Sequence, residues 1–494
     1  MREIKTHQHF LKRRAGVLLH PGSLPVEPGR GALGSAATRF IDFLVSSGFS
    51  VWQMLPVQPV DKFGSPYQCT SAHAGNPDLI CKHKLLANNW MTADGHQHDI
   101  DLPDVTLDLV NPALQKFTEH ATDTEQAEYA KFKNEHSFWL DDYALFCVIK
   151  DVQKGKPWWQ WPQELSCLDK ETLQAFRSGH RSQIERYYFE QFIFFCQWHD
   201  LRTQAANKNI LLLGDMPIFV AHDSVDVWVH RRYFRLDDKG HATVVAGVPP
   251  DYFSATGQRW GNPMYDWTAM QAADFHWWIE RLRTQLELFD LVRMDHFRGF
   301  EANWEIPAAC PTATDGEWKP VPGRRLFQAL HDVYGDLPLV AEDLGIISTE
   351  VNKLRDDFRL PGTKVLQFAF DSDAENPYLP HNHVPVGLVC TGTHDNNTSK
   401  GWFDNLDDPT RLRLMDYLQN STELMPWPLV RAALASVACL AMLPMQDLLG
   451  LDQTHRMNTP GTTEGNWCWR FDWDWLPADL PERLKHMNHV YGRC

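Results

Sequence analysis

Eight short apolar runs, rich in β-branched residues and each followed by a polar or glycine-containing loop, recur along the chain at 16–20, 50–57, 210–215, 288–295, 337–343, 364–371, 387–395 and 440–446. Their hydrophobicity is continuous rather than alternating, as expected of strands covered on both faces in a parallel sheet. Amphipathic helical patterns lie between several of them. Ala37, Phe40, Ile41, Leu44 and Val45 fall at helical spacing after the first run, and Gly48 is placed to end that helix. Leu326, Phe327, Leu330, Val333 and Tyr334 form a second stripe, and 183–206 reads as helix. Asp408-Pro409 reads as an N-cap followed by proline at the first helical position. The run 429–443 contains Arg431 and is too short for a membrane span, so it reads as a buried helix feeding a strand. Eight strands with intervening helices predict a (β/α)8 TIM barrel, with a doubly wound open sheet as the alternative.

Two gaps exceed simple connections. Residues 58–209 predict an insertion subdomain after strand 2, and 217–287 a second one after strand 3, carrying an aromatic loop at 247–267. Residues 1–494 are otherwise read as one barrel, and the short stretch beyond 446 leaves no room for a C-terminal β-sandwich. A net charge of −16 argues against nucleic acid as a partner, because no basic face is available to neutralise phosphates. Ten cysteines are scattered without a CxxC pair, and the N-terminus lacks the apolar stretch of an export signal. The expectation is a cytoplasmic protein with no membrane association. Twenty Trp, 27 Phe and 12 Tyr are many. They suit sugar stacking, and equally the filling of a large core.

The acids are the most informative pattern. Four runs end on them: Asp215 in LLLGDMP, Asp295 in LVRMDHFRG, Glu342 with Asp343 in LVAEDLG, and Asp395 in VCTGTHDNN. Barrel active sites are assembled at the C-terminal ends of the strands. One acid at a strand tip is commonly a cap or turn residue; four with distinctive surroundings point to chemistry. Glycoside cleavage needs a carboxylic acid to protonate the leaving oxygen and a carboxylate to attack the anomeric carbon or activate a nucleophile. Arg293 precedes Asp295 by two residues, so both side chains share a strand face, and a guanidinium there favours the charged carboxylate. A structural ion pair is the competing reading. His394 and Asp395 could grip sugar hydroxyls, or His394 could be an ordinary satisfied histidine.

These segments resemble the 4-α-glucanotransferases (amylomaltases or disproportionating enzymes, glycoside hydrolase family 77) within the α-amylase-like barrels. VRMDHFRG resembles the nucleophile strand, AEDLG the acid/base strand, TGTHDNNT the third-acid strand and GDMPIFVAHDSVDVW the strand-three segment. FGSPYQCTSAHAGNP (63–77), GVPPDYFSATGQRWGNPMYDW (247–267) and RMNTPGTTEGNWCWR (456–470) are more specific to the amylomaltases, and the matches run from about 16 to 470. The resemblance implies Asp295 as nucleophile, Glu342 as general acid/base and Asp395 as the third, transition-state-stabilising acid. It implies supporting or substrate-binding positions at Arg293, His394, Asp215, Tyr67, Tyr252, Phe253 and Trp260, though loop packing competes for each aromatic ring. The implied partners are α-1,4-glucans and maltooligosaccharides, with glucose as an acceptor. No cofactor is implied, and no metal: HExxH and calcium-loop patterns are absent. Oligomeric state is not legible in the sequence. Asn397 stands where many relatives carry an acid, and Ala32 replaces the acid often found in the Gly29–Gly34 segment. Three rival readings are an α-glucan hydrolase, a non-catalytic glucan-binding protein, and a phosphate or dinucleotide loop at 29–34.

Overall fold

A strand that is apolar on both sides needs cover on both sides, and this chain supplies it by curling the strands into a ring wrapped by helices. The computed structural model describes residues 3–26, 32–61, 64–87, 90, 106–250, 254–345, 347–462 and 464–494. Each apolar run overlaps a strand: β1 (Arg14–Leu18), β2 (Val51–Gln53), β3 (Leu211–Met216), β4 (Leu291–Met294), β5 (Leu339–Ala341), β6 (Gly362–Val365), β7 (Gly387–Cys390) and β8 (Leu440–Pro444). All pair in parallel in the order β1-β8-β7-β6-β5-β4-β3-β2 and close on themselves. The architecture is therefore a (β/α)8 barrel, and the open-sheet alternative is excluded.

Strand parity decides what faces the axis. Val51, Leu213, Leu291, Val340, Leu388, Leu440 and Met442 form one cluster inside the ring, with Phe10 packed into it. Their neighbours Trp52, Leu212, Val292, Leu339, Val389 and Ala441 belong to the separate layer between strands and helices. Gly16 belongs to the crowded interior: a Cβ there would come within 2.4 Å of the Val51 carbonyl oxygen. Continued two residues at a time, interior parity runs 211, 213, 215 on β3, 291, 293, 295 through β4, and 340, 342 through β5. It thus carries Asp215, Arg293, Asp295 and Glu342 to the inner rim.

Helix Ser35–Ser46 buries Ala37, Phe40, Ile41 and Leu44, and Gly48 beyond it takes φ +71°. Val45, however, is 43% exposed, and Val333 on helix Gly323–Tyr334 is 55% exposed. Each lies one step outside the buried arc of its stripe. The N-cap before Pro409 is Asp407, whose side chain accepts from the Thr410 N–H, so Asp408 is the first helical residue. The sixth run stops being strand at Val365 and continues as a 3-10 turn, Leu366–Phe368. The 429–443 run is helix Trp427–Ala435 followed by β8.

Helices Thr106–His120, Asp123–Glu135, Ser137–Val152, Lys170–Gly179 and Arg181–Asn207 lie between β2 and β3. Much of the aromatic content packs here: Trp90, Phe117, Tyr129, Phe189 and Phe192 contact one another at centroid separations of 5.0–6.1 Å. Strands Val244–Val248 and Gln258–Pro263 pair antiparallel, and Ala302–Pro307 and Glu317–Pro320, which follow β4, complete that sheet. All ten cysteines are free thiols. Among the described residues no helix is long and apolar enough to cross a membrane.

At the opposite end of the ring from the acids, Arg493 is fully buried, with no carboxylate partner among the described residues. Its guanidinium donates to the carbonyls of Leu434 (2.7 Å), Arg14 (2.9 Å), Ala438 (3.1 Å), Ala433 (3.3 Å) and Ser436 (2.7 Å). It thereby satisfies the last carbonyls of helix Trp427–Ala435 and ties them to β1. Burial lowers its pKa to about 9. Arg493→Met removes this donor from the Arg14 and Ala438 carbonyls, while Arg13 still reaches those of Leu434 and Ser436, and we expect it to lower unfolding stability by about 1–3 kcal/mol in urea titrations.

Candidate active site

Three backbone devices hold the rim. Parallel register sets Asp215 on β3 directly beside Arg293 on β4. The Asp295 N–H donates to the Met216 carbonyl (3.1 Å) and the Glu342 N–H to the Met294 carbonyl (3.0 Å), so the tips of β3, β4 and β5 are laced together. The chain then turns sharply at His296, whose φ of +46° is left-handed and uncommon for a side chain of this size. That turn aims the His296 N–H at Glu342 Oε2, 2.7 Å away.

The side chains converge on Arg293. Its Nη1 sits astride both oxygens of Asp215 (2.7 and 2.6 Å) and also reaches Asp295 Oδ1 at 3.0 Å. Burial opposes a charge on Arg293, but the two carboxylates prevail and hold its pKa well above the ordinary value. Asp215 is 1% exposed, whereas a quarter of the Asp295 side chain is open to solvent. Glu342 is only half-buried by its exposed surface, yet desolvation is the first cause pushing its pKa well above the usual carboxylate range; the negative charge of Asp295 adds to this and Arg293 opposes it. Its neighbour Asp343 has the opposite parity and is spent on structure, accepting from the Thr363 N–H (2.7 Å) and from Arg355.

The third group comes from a loop. β7 ends at Cys390, so His394 and Asp395 lie beyond the strand rather than at its tip. Buried Asp447 pins that loop at both ends, accepting from the Thr391 hydroxyl (2.5 Å), the Ser399 N–H (2.7 Å) and the Ser399 hydroxyl (2.6 Å). His394 Nε2 lies 3.4 Å from Asp395 Oδ2. Burial lowers the His394 pKa and Asp395 raises it, with a net rise. Desolvation works against the charge on Asp395, but His394, Asn458 and Arg293 hold its carboxyl well below the usual range. Tyr67 stacks on His394 (5.1 Å, 22°) and donates its hydroxyl to Asp215 Oδ2 at 2.9 Å, linking the loop to the buried pair. Trp260 meets the edge of His296 at 4.9 Å. Tyr252 and Phe253 lie outside the described residues, as do residues 27–31 of the glycine-rich segment.

Three contributors carry no role in the sequence reading. Asn458 Nδ2 donates to Asp395 Oδ1 (2.7 Å), Arg456 donates to the Asp395 carbonyl (2.9 Å), and Trp467 packs at 5.8 Å from Tyr67 and 5.9 Å from His394. All three lie within 456–470, a motif distinctive as a string but silent about which side chains turn inward. Beside His394 opens a cleft lined in part by His20, Asn397, Met457 and Trp469. Asn397 is thus a wall residue, and Ala32 is buried in the core. Among the described residues no cluster of His, Cys, Asp or Glu is arranged to hold a metal.

The chain is similar over nearly its whole length to known proteins. A family model described as 4-alpha-glucanotransferase matches residues 19–475. A 4-alpha-glucanotransferase of Thermus thermophilus is 45% identical over 98% of this chain and 99% of its own length. One from a Synechocystis strain is 44% identical over 98% of each. The solved amylomaltase of Streptococcus agalactiae, in complex with acarbose, superposes with a TM-score of 0.93 at 35% identity, covering 98% of this chain and all of that one.

Arg293 balances two acids, so its loss leaves a carboxylate stranded in the interior. Arg293→Met should cost about 3–5 kcal/mol of stability, as expected for a broken buried pair. Adding Asp215→Asn should restore part of it, which thermal unfolding of both variants will show.

Proposed function

From the premise that this chain belongs to the 4-α-glucanotransferase family and transfers glucan segments, we propose that it does so with retention, through a glucan segment held covalently on Asp295. In this reading Asp295 Oδ attacks the anomeric carbon of an α-1,4-linked donor while Glu342 gives its proton to the departing 4-oxygen. The glycosyl–aspartate ester forms as the glycosidic bond breaks. The 4-hydroxyl of an acceptor glucose or glucan then enters and returns its proton to Glu342, and the ester bond breaks as the new α-1,4 bond forms. Asp395, held by His394 and Asn458, binds the sugar hydroxyls that carry most charge in the transition state. Asp215, Arg293 and Tyr67 fix the donor sugar's floor, and Tyr252, Phe253 and Trp260 line the glucan path. The result is disproportionation of maltooligosaccharides, in starch, glycogen or maltodextrin metabolism of the cytoplasm.

The observation that carries this reading is the unequal environment of two neighbouring acids. Asp295 rests against a permanently charged guanidinium at the solvent edge, the setting of a nucleophile. Glu342 has its proton held by desolvation and by the nearby Asp295 charge, the setting of an acid. Hydrolysis would use the same intermediate with water as the acceptor. Product analysis from maltotriose separates the two: transfer yields longer oligosaccharides, hydrolysis only shorter ones. Asp295→Asn should abolish both, and unchanged products from that variant would remove Asp295 from the mechanism.

The proton on Glu342 sets a sign. Activity should fall as pH rises through its raised pKa, because the acid is then lost. Glu342→Gln should lower turnover on maltotriose by roughly 10²–10⁴. The same variant should keep its first step on maltosyl fluoride, whose leaving group needs no proton. A variant whose first step is equally impaired with both donors would remove Glu342 from the acid role.

A further inference from the structure

Tyr67 also lines a second, smaller pocket with room for about one water. Its wall combines apolar Phe219 and Val220 from the segment after β3 with Ser71 and with the polar side chains of Gln58, Arg281 and Gln285. These are among the most enclosed polar residues of the chain, at 3%, 3% and 2% exposure. Each presents a buried atom with no partner among the described residues: Gln58 Nε2 and Arg281 Nε as donors, Gln285 Oε1 as an acceptor. Arg281 and Gln285 are one turn apart on helix His276–Leu288, so they face the cavity together. The rest of Arg281 is fully engaged, donating to the carbonyls of Pro217 and Ile218 (3.0 Å to the latter) and to the Tyr265 hydroxyl (3.3 Å).

Buried donors and acceptors in native proteins are almost always satisfied, by protein or by ordered water, and water occupies a buried site when that site is polar and roomy enough. Two donors and one acceptor around one chamber match the bonding capacity of water, which accepts and donates. We propose that this chamber is a water-binding site, and that the bound water makes Gln58, Arg281 and Gln285 positioning residues for Tyr67. Tyr67 forms part of the chamber wall while its hydroxyl donates to Asp215. A hydrated chamber backs the ring and holds that hydroxyl on the buried acid, whereas a collapsed one lets the ring retreat from His394 and Asp215. The consequence for transfer rests on the reading of Tyr67 as part of the donor sugar's floor; the water site itself does not.

The test has two arms. A crystal structure of the unmodified protein at a resolution that resolves water should show density within hydrogen-bond distance of Gln58 Nε2, Arg281 Nε and Gln285 Oε1; a chamber without it overturns the proposal. Gln285→Met keeps the volume and removes the acceptor, and should lower kcat for maltotriose disproportionation about tenfold with KM moved less than twofold. Gln285→Glu keeps an acceptor oxygen and should recover most of that loss. Density at all three atoms combined with unaltered kcat in Gln285→Met overturns the positioning role alone, leaving the assignment of the catalytic acids untouched. If Gln285→Met fails to fold, the crystallographic arm still decides the water site.

Discussion

A guanidinium cannot be discharged at physiological pH, and at the rim of this barrel one such group stands between two carboxylates. Arg293 neutralises Asp215 so that an acid can be buried at 1% exposure. With the same Nη1 it holds the carboxylate of Asp295 at 3.0 Å. Taking two charges from water is expensive, and attraction repays it only where geometry is tight and the remaining lone pairs are met. Tyr67 meets one of them, since its hydroxyl donates to the oxygen of Asp215 that Arg293 also holds. The β3–β4 side of the site depends on that charge balance: it lets Asp215 be buried, gives Tyr67 an acceptor there and orients the carboxylate of Asp295.

The barrel makes such a balance possible because it converts sequence parity into direction. Side chains two apart along a strand face the same way, and adjacent parallel strands in register place them side by side. Asp215 and Arg293 are register partners, and Asp295 and Glu342 extend the inward parity beyond the ends of β4 and β5. The pairs of adjacent residues in the motifs then divide their labour. Glu342 faces the axis while Asp343 anchors Arg355 and the Thr363 amide. Asp447 is likewise a structural acid, buried and raised in pKa by that burial. It fixes the loop from which His394 and Asp395 reach the site.

This parity also explains how much could be read in advance. Apolar runs located all eight strands, because a doubly covered strand leaves a continuous hydrophobic signature. The acids Asp215, Asp295 and Glu342 were legible because they continue those runs. Asp395 was legible only as part of a motif: its distance from the end of β7 depends on the loop that Asp447 holds, and no local periodicity records a contact between residues 399 and 447. Asn458 and Trp467 reach the site from a loop beyond β8, so their inward orientation is a tertiary fact. Helix stripes predicted too wide a buried face, and Val45 and Val333, at the edges of their stripes, are exposed. Asp407 takes the cap in place of Asp408, accepting from the Thr410 N–H, and Pro409 falls at the second helical position.

Closure of the ring has a consequence for how the chain comes into being. β1 ends at Leu18, yet the strand that pairs with one of its sides, β8, begins only at Leu440. At typical synthesis rates of roughly 5–20 residues per second, tens of seconds separate the emergence of the two. Throughout that interval the outer side of β1 has unpaired amides and carbonyls, the kind of edge that invites association with other chains. The seam between first and last strand is therefore the last part of the barrel to be sewn, and the stage of biosynthesis most exposed to misassembly is the one just before it.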